Sequence, residues 1–318
     1  MPGTPRTVGE LGEFDLIDQI LTRLPAGAGV LLGPGDDAAV VAAPDARVVA
    51  STDLLVEGRH FRRDWSEPYD VGRKAAAQNL ADVAAMGAVP TALLVGLAAP
   101  GSLPVDWAMA LADGLREECE AAGASVAGGD IARSETLTLA VTALGSLEGR
   151  DPVTRSGARP GDVVAVAGRL GWAAAGFAVL SRGFRSPRVL VEAHRRPSPP
   201  YAHGPQAAEL GATAMIDVSD GLVQDLGHVA AASGVLIDIA SGVLEVPEVF
   251  QDTARALTAD PLTWLLAGGE DHALAACFPS GVELPDGWQV VGRVTEGAGV
   301  VHVDGAPYDG PGGWQAFS

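Results

Sequence analysis

Apolar residues at Phe14, Ile17, Ile20, Leu21 and Leu24 recur at the spacing of one helical face, and Pro25 follows them, which predicts a helix from Gly12 to Leu24. Two short apolar runs come next, Ala38-Ala-Val-Val41 and Arg47-Val-Val-Ala50, separated by a turn at Pro44-Asp45. They read as the strands of a hairpin-like pair. A long helix is predicted from about Asp70 to Met86, stopped by Gly87, because glycine tolerates the left-handed cap. A strand (Thr91–Leu97), a helix (Pro104–Ala122) and strands at Ser125–Ala127 and Thr136–Leu144 complete the first half. Leu147-Glu-Gly-Arg-Asp-Pro152 reads as a linker. Beyond it the pattern gives a strand between Gly161 and Gly168, a helix over Gly171–Leu180 and a loop at Pro197–Pro200. A strand (Ala212–Val218), a helix (Gly221–Ala232) and a strand (Val235–Ile239) follow, with further elements to the end. Alternating strands and helices with several antiparallel-looking pairs predict two α/β or α+β domains, residues 1–148 and 149–318.

Composition sharpens this reading only in places. With 318 residues the chain can bury two cores, and 47% hydrophobic against 19% charged residues marks a globular protein. The net charge of −19, from 21 basic and 40 acidic residues, argues against a nucleic-acid partner, which needs a basic face. It fits a protein that handles anions through metal ions, although an acidic, soluble surface accounts for most of the excess. Cys119 and Cys277 are far apart with no CxxC spacing, which points to a reducing compartment. Residues 1–13 lack the apolar core of a signal peptide, and the apolar stretch Ala92–Ala99 is short and flanked by prolines. A soluble cytoplasmic protein without a membrane span is expected.

The candidate chemistry lies in acids beside glycines. Gly33-Pro-Gly-Asp-Asp37 carries two adjacent carboxylates, and Ser51-Thr-Asp53 adds further oxygen donors that the expected hairpin would bring close. Clustered carboxylates repel one another unless a cation lies between them, and hard oxygen donors suit Mg²⁺ better than zinc. A solvated Asp-rich turn is the plainer alternative. Each half also has a glycine pair followed by acid, Gly128-Gly-Asp130 and Gly268-Gly-Glu-Asp271. Glycines let backbone approach a phosphate, and N–H groups at a helix start favour anions. Asp217 and Asp220, in Asp217-Val-Ser-Asp-Gly221, stand where a strand becomes a helix, where an N-cap is the commoner role of an aspartate. Asp82, among Leu80, Val83 and Met86 inside a helix, requires a partner. Gly33–Ala38 matches the dinucleotide pattern only formally, since a strand-like run follows where a helix is needed. No GxxxxGK[ST] is present, and the single lysine, Lys74, lies in no phosphate-binding context.

The ordered series GDDAAVV (35–41), STDLLVEGRHF (51–61), NLADVAAMGA (79–88), GGD (128–130), TRSGARPGD (154–162), IDVSDGL (216–222) and GGED (268–271) resembles the thiamine-monophosphate kinase family. That family belongs to the ATP-binding superfamily that includes aminoimidazole ribonucleotide synthetase. The resemblance runs from Gly12 to the tail. It implies a two-domain synthetase-like α/β (α+β) fold, with an N-terminal sheet domain forming a homodimer interface and a C-terminal α/β domain. It also implies ATP-dependent conversion of thiamine monophosphate to thiamine diphosphate by direct transfer at a site with several Mg²⁺ ions. The acceptor phosphate is already anionic, so the chemistry calls for charge neutralisation and alignment, not a general base.

By resemblance, metal ligation falls to Asp37, Ser51, Thr52, Asp53, Asp82, Asp130, Asp217 and Asp220, with Asp53, Asp130 and Asp220 central to catalysis. Gly129, Asp130, Arg155 and Ser219 match ATP-contacting positions, and His60, Glu270 and Trp314 match positions that contact thiamine monophosphate. His272 departs from the tyrosine the family commonly has after Gly-Gly-Glu-Asp. Within the superfamily, no cysteine precedes Cys119, as selenophosphate synthetase would require. The chain also ends Trp-Gln-Ala-Phe-Ser318 without the terminal cysteine of the hydrogenase maturation factor. A purine-biosynthesis synthetase and a non-catalytic nucleotide- or Mg²⁺-binding regulatory protein are the remaining alternatives.

Overall fold

The computed structural model describes residues 7–25, 27–33 and 39–313. Asp36, Asp37 and Trp314 lie outside the described residues. The chain divides into two compact units, residues 1–83 with 89–148, and residues 84–88 with 149–318.

The first unit opens with α1 (Val8–Leu11) and α2 (Glu13–Leu21), followed by the short strands β1 (Val30–Leu32) and β2 (Val40–Val41). Its main sheet has four strands: β3 (Val49–Val56), β4 (Val89–Ala99), β5 (Ser125–Arg133) and β6 (Thr138–Ser146), in the order β3-β6-β4-β5. The β4–β5 pair is parallel and is joined through α4 (Val105–Ala122), while β3–β6 and β6–β4 are antiparallel. Helix α3 (Pro68–Ala85) starts with proline in its first turn, where no N–H is needed, and Asp70 accepts the Glu67 N–H at 3.1 Å. Ala75, Ala76, Ala77, Leu80, Ala81 and Val83 are fully buried, so this alanine-rich helix is a core element. Its small side chains permit a close crossing with α4: a Cβ on Gly72 would lie 2.2 Å from the Leu111 carbonyl oxygen, and one on Gly114 2.1 Å from that of Tyr69.

Two expectations are corrected here. The run ending at Val41 does not pair with β3; β2 turns back onto β1, and Val41, Ala39 and Val30 pack with Ala92, Ala127 and Leu144. Burial of Val30 and Val41 over the main sheet favours that pairing over the local hairpin. Strand β5, expected to stop at Ala127, runs on through Gly128-Gly-Asp130 to Arg133. Glycine is what allows this: a Cβ on Gly129 would lie 2.0 Å from the Val95 carbonyl oxygen on β4.

The second unit is built on seven strands in the order β13-β12-β9-β11-β7-β10-β8. They are β7 (Val163–Ala167), β8 (Ala214–Val218), β9 (Val235–Ile239), β10 (Ala273–Phe278), β11 (Trp288–Glu296), β12 (Val300–Val303) and β13 (Ala306–Pro307). All pairings are antiparallel except β9–β12. The helices are α5 (Trp172–Ser181), α6 (Arg188–Arg195), α7 (His203–Glu209), α8 (Leu222–Ser233), α9 (Glu248–Leu257) and α10 (Pro261–Ala267). Strands β8 and β10 are buried along their whole length, and Leu274, Ala276 and Phe278 share a cluster with Met215, Ala165 and Ala207. Among the described residues, no helix is long and apolar enough to cross a membrane.

Candidate active site

Side chains alternate across a strand, and on β3 this sorts the candidate ligands. Ser51 and Asp53 turn toward α3. The Ser51 hydroxyl donates to Asp82 Oδ2 at 2.6 Å, which supplies the partner that Asp82 requires. One turn earlier on α3, the buried Asn79 side-chain carbonyl accepts the Asp53 backbone N–H at 3.0 Å, and Gln78 Nε2 donates to Asp53 Oδ2 at 3.2 Å. Thr52 faces the other way; its hydroxyl donates to the Val141 carbonyl at 3.0 Å and accepts from Thr142 at 3.1 Å.

Asp130 stands on the opposite edge strand. The paired rows run Asp53–Val141–Val95–Gly129 and, one step along, Leu54–Ala140–Gly96–Asp130. Asp53 and Asp130 are thus three strand spacings apart, about 14 Å, in neighbouring rows that point to opposite faces. The first unit brings together Ser51, Asp53 and Asp82, and holds Thr52 and Asp130 apart from them. Beside Gly128 and Gly129, an apolar cavity of about 110 Å³ is walled by Ile20, Leu21, Val95, Leu111, Leu115 and Ile131. His60 closes the turn after β3: its Nδ1 accepts the Val56 N–H at 3.0 Å, and Lys74 Nζ donates to its carbonyl at 3.2 Å. The one lysine therefore anchors a loop.

In the second unit, β8 ends in Asp217-Val-Ser-Asp220, and the Gly269–His272 segment runs beside it. The Glu270 N–H donates to the Ser219 carbonyl at 2.8 Å and the His272 N–H to that of Val218 at 3.1 Å. Gly269 allows this approach, since a Cβ there would lie 2.2 Å from the Ser219 carbonyl oxygen. Ser219, Asp220 and Glu270 are therefore neighbours. Asp225, in the first turn of α8, accepts the N–H groups of Asp220 and Gly221, both at 3.0 Å, and so fixes the turn. Burial pushes the Asp225 carboxyl up to about 7, opposed by those two N–H groups. Burial also raises Asp220; the Gln224 amide, 3.0 Å away, opposes the rise and the charge of Asp217 adds to it. His272 is buried, with Nδ1 3.0 Å from Asp217 Oδ2, so the departure from tyrosine places an imidazole on a candidate metal ligand.

Arg155 lies elsewhere in this unit. The Met215 N–H donates to the Thr154 carbonyl at 3.0 Å, which ties the loop to the start of β8, whereas Asp217 and Asp220 lie at its end. Ser233, at the end of α8, secures this loop: its hydroxyl accepts from Gly157 N–H (3.1 Å) and Ala158 N–H (3.2 Å) and donates to the Arg155 carbonyl (3.1 Å).

Asp225, Asn79, Gln78 and Ser233 escaped the sequence reading. Asp225 left a trace as an acid in the first turn of a helix that opens at Gly221; the bond from Ser233 spans 78 residues and left none. Among the described residues, no group of three or more His, Cys, Asp or Glu side chains is gathered closely enough to hold a metal ion. What each unit offers is a partial set of hard oxygen donors: Ser51, Asp53 and Asp82 in one, Asp217 and Asp220 in the other. Carboxylates and hydroxyls without thiolates suit a hard divalent cation.

Residues 35–147 match the family described as AIR synthase related protein, N-terminal domain. The thiamine-monophosphate kinase of Mycobacterium tuberculosis is 51% identical over 312 residues, covering 98% of this chain and 93% of the relative. That of Corynebacterium glutamicum is 41% identical over 322 residues, covering 98% and 95%. The chain belongs to the thiamine-monophosphate kinase family. Among solved structures, AaThiL complexed with AMPPCP and TMP superposes with a TM-score of 0.80 at 35% identity, covering 97% of this chain and 98% of that one. The fold is the AIR synthase-like α/β fold that the resemblance implies.

Proposed function

We propose that this protein transfers the γ-phosphoryl group of ATP to thiamine monophosphate, giving thiamine diphosphate and ADP. The observation that carries this reading is the near-full-length likeness to AaThiL in complex with AMPPCP and TMP, an ATP analogue and an acceptor together. The first unit takes the nucleotide. Its base enters the apolar cavity beside Gly129, a slot suited to a flat heterocycle, and its phosphates meet Gly129 and Asp130. Arg155 forks onto phosphate oxygens, as a planar guanidinium can, and Ser219 adds a further contact. Glu270, of the second unit, contacts the heterocyclic end of the acceptor, and His60, of the first, and Trp314 are further acceptor contacts.

In the first unit Mg²⁺ would be held by Ser51, Asp53 and Asp82, with Asp37 as a further donor, while Thr52 and Asp130, on the opposite face of the sheet, would serve other ions; in the second unit the donors would be Asp217 and Asp220. When bound, Mg²⁺ neutralises charge on the phosphates of both substrates. The protein's own part is geometric: Ser51 and Gln78 hold the carboxylates of Asp82 and Asp53 toward one face, and Asp225 holds the turn that carries Asp220. ATP as co-substrate and two free, buried cysteines fit the cytoplasm.

The outward face of the four-stranded sheet, where Leu54 is 56% and Leu94 37% exposed, fits a homodimer interface. Purified protein supplied with ATP, MgCl₂ and thiamine monophosphate should form thiamine diphosphate and ADP in equal amounts. Asp53→Asn and Asp130→Asn should each abolish product while leaving the thermal unfolding midpoint unchanged. Near-wild-type turnover in either variant removes that acid from the mechanism, and no thiamine diphosphate from the wild type defeats the reading.

A further inference from the structure

Helix α6 carries a buried histidine that the motif series does not include. The His194 side chain is 6% exposed, and its Nδ1 lies 3.2 Å from Oε2 of Glu270, whose own side chain is 36% exposed. Phe177, from α5, leans over the imidazole with ring centroids 5.7 Å apart and is itself 50% exposed. The ring is held by a close helix crossing: a Cβ on Gly176 of α5 would lie 2.0 Å from the Leu190 carbonyl oxygen and 2.8 Å from the Cβ of His194. No bulkier residue than glycine fits there without moving the histidine.

Glu270 is fixed at its backbone. It adopts a φ of +66°, a left-handed conformation that non-glycine residues seldom take, and its N–H is bonded to Ser219. What remains to be set is the direction of a flexible side chain with three rotatable bonds. A glutamate at the mouth of a site loses substrate affinity if it must be ordered at the moment of binding.

We infer that His194 is a positioning residue for Glu270, aiming its carboxylate at the heterocyclic end of the acceptor while Phe177 forms an apolar wall beside it. The inference rests on the proposed function, which gives Glu270 to the acceptor. Thiamine monophosphate suits this pairing: its thiazolium carries a fixed positive charge, its aminopyrimidine presents N–H donors, and both rings have apolar faces. The role is in binding, not in phosphoryl transfer, so it separates the two substrates.

The test is steady-state kinetics on the full-length enzyme. His194→Leu keeps volume against Phe177 and removes the ring nitrogen. It should raise KM for thiamine monophosphate about tenfold, with KM for ATP and kcat at saturating acceptor unchanged. In a Glu270→Gln background the same change should have almost no further effect on that KM. His194→Asn, whose amide nitrogen stands near the place of Nδ1, should retain most of the affinity, and His194→Gln, which reaches to the place of Nε2, should not. That second pair decides the matter should the leucine variant fail to fold. Equal shifts in both KM values, an unchanged acceptor KM, a full tenfold effect in the Glu270→Gln background, or rescue by Gln and not Asn overturns the inference. If the wild-type enzyme does not phosphorylate thiamine monophosphate, the functional reading falls and takes this inference with it. A working wild type with insensitive His194 variants defeats the inference alone.

Discussion

Asp271 shows what burial does to a carboxylate whose neighbours answer only half of it. Its Oδ1 accepts the Ala173 N–H at 3.0 Å at the start of α5, whereas Oδ2 is buried with no hydrogen-bond partner among the described residues. Burial pushes the group from an ordinary 3.8 up to about 7, opposed by the Ala173 N–H and the charge of Arg169. Between those two values the folded protein keeps a proton that the unfolded chain has lost. Stability from this group is therefore full at low pH and falls as pH rises from about 4 to about 7. Over that range the loss is on the order of 4 kcal/mol at most. Asp271→Asn keeps an acceptor for Ala173 and removes the titration. Urea unfolding of the two proteins at pH 5, 6, 7 and 8 should show the variant gaining on the wild type with each step. Parallel pH profiles would mean that Asp271 is ionised throughout.

At the scale of elements, two helix crossings set the positions on which the candidate site depends. Helices α3 and α4 meet through Gly72 and Gly114, and α5 and α6 through Gly176. The first crossing fixes the helix that presents Gln78, Asn79 and Asp82 to β3. Gly114→Ala places a methyl group 2.1 Å from a carbonyl oxygen, so α3 must shift; overpacking of this kind costs about 1–3 kcal/mol and exceeds the gain in helix propensity. The control is Gly227→Ala in α8, where a Cβ meets nothing within 4 Å; it should stabilise by up to about 1 kcal/mol. Thermal unfolding of both variants, with product formation as a second readout, should give opposite signs. A Gly114→Ala enzyme as stable and active as wild type would show that the crossing can relax. The long periodic helices are legible in the sequence: the pattern predicts a helix over Asp70–Met86 and α3 spans Pro68–Ala85, and α4 starts one residue after the predicted Pro104. Their patterns are local and long enough to be unambiguous. The eight-residue α6 was not legible, and neither was the extension of β5 through its glycines, because a close approach to Val95 from another strand leaves no mark in the local pattern. In the candidate site, the need of Asp82 for a partner could be argued from its apolar neighbours. That the partner is Ser51, 31 residues earlier, depends on the fold.

At the scale of the whole molecule, the outer face of the first unit's sheet carries the remaining prediction. The four strands turn Ser51, Asp53 and their row-mates toward α3 and leave Thr52, Leu54, Ala140, Thr142, Leu94 and Asp130 on the other side. Leucines exposed to 56% and 37% on a flat sheet face cost solvation free energy unless something apolar covers them, and a second copy of the same face is self-complementary by symmetry. Each chain also has a net charge of −19, so pairing brings like charges together and should strengthen as salt screens them. A hydrophobic interface opposed by net charge therefore predicts a dimer whose dissociation constant falls between 20 mM and 300 mM NaCl. Light scattering on the wild type should give twice the 32.3 kDa chain mass, and Leu54→Asp combined with Leu94→Asp should give the single chain mass with unchanged circular dichroism. Thr52 and Asp130 lie on this same face, Leu94 in the row of Thr52 and Leu54 in the row of Asp130, so the test of pairing is the mass and not the activity. A wild type that is monomeric at every salt concentration, or a doubly substituted chain that still pairs, would move the interface off this face.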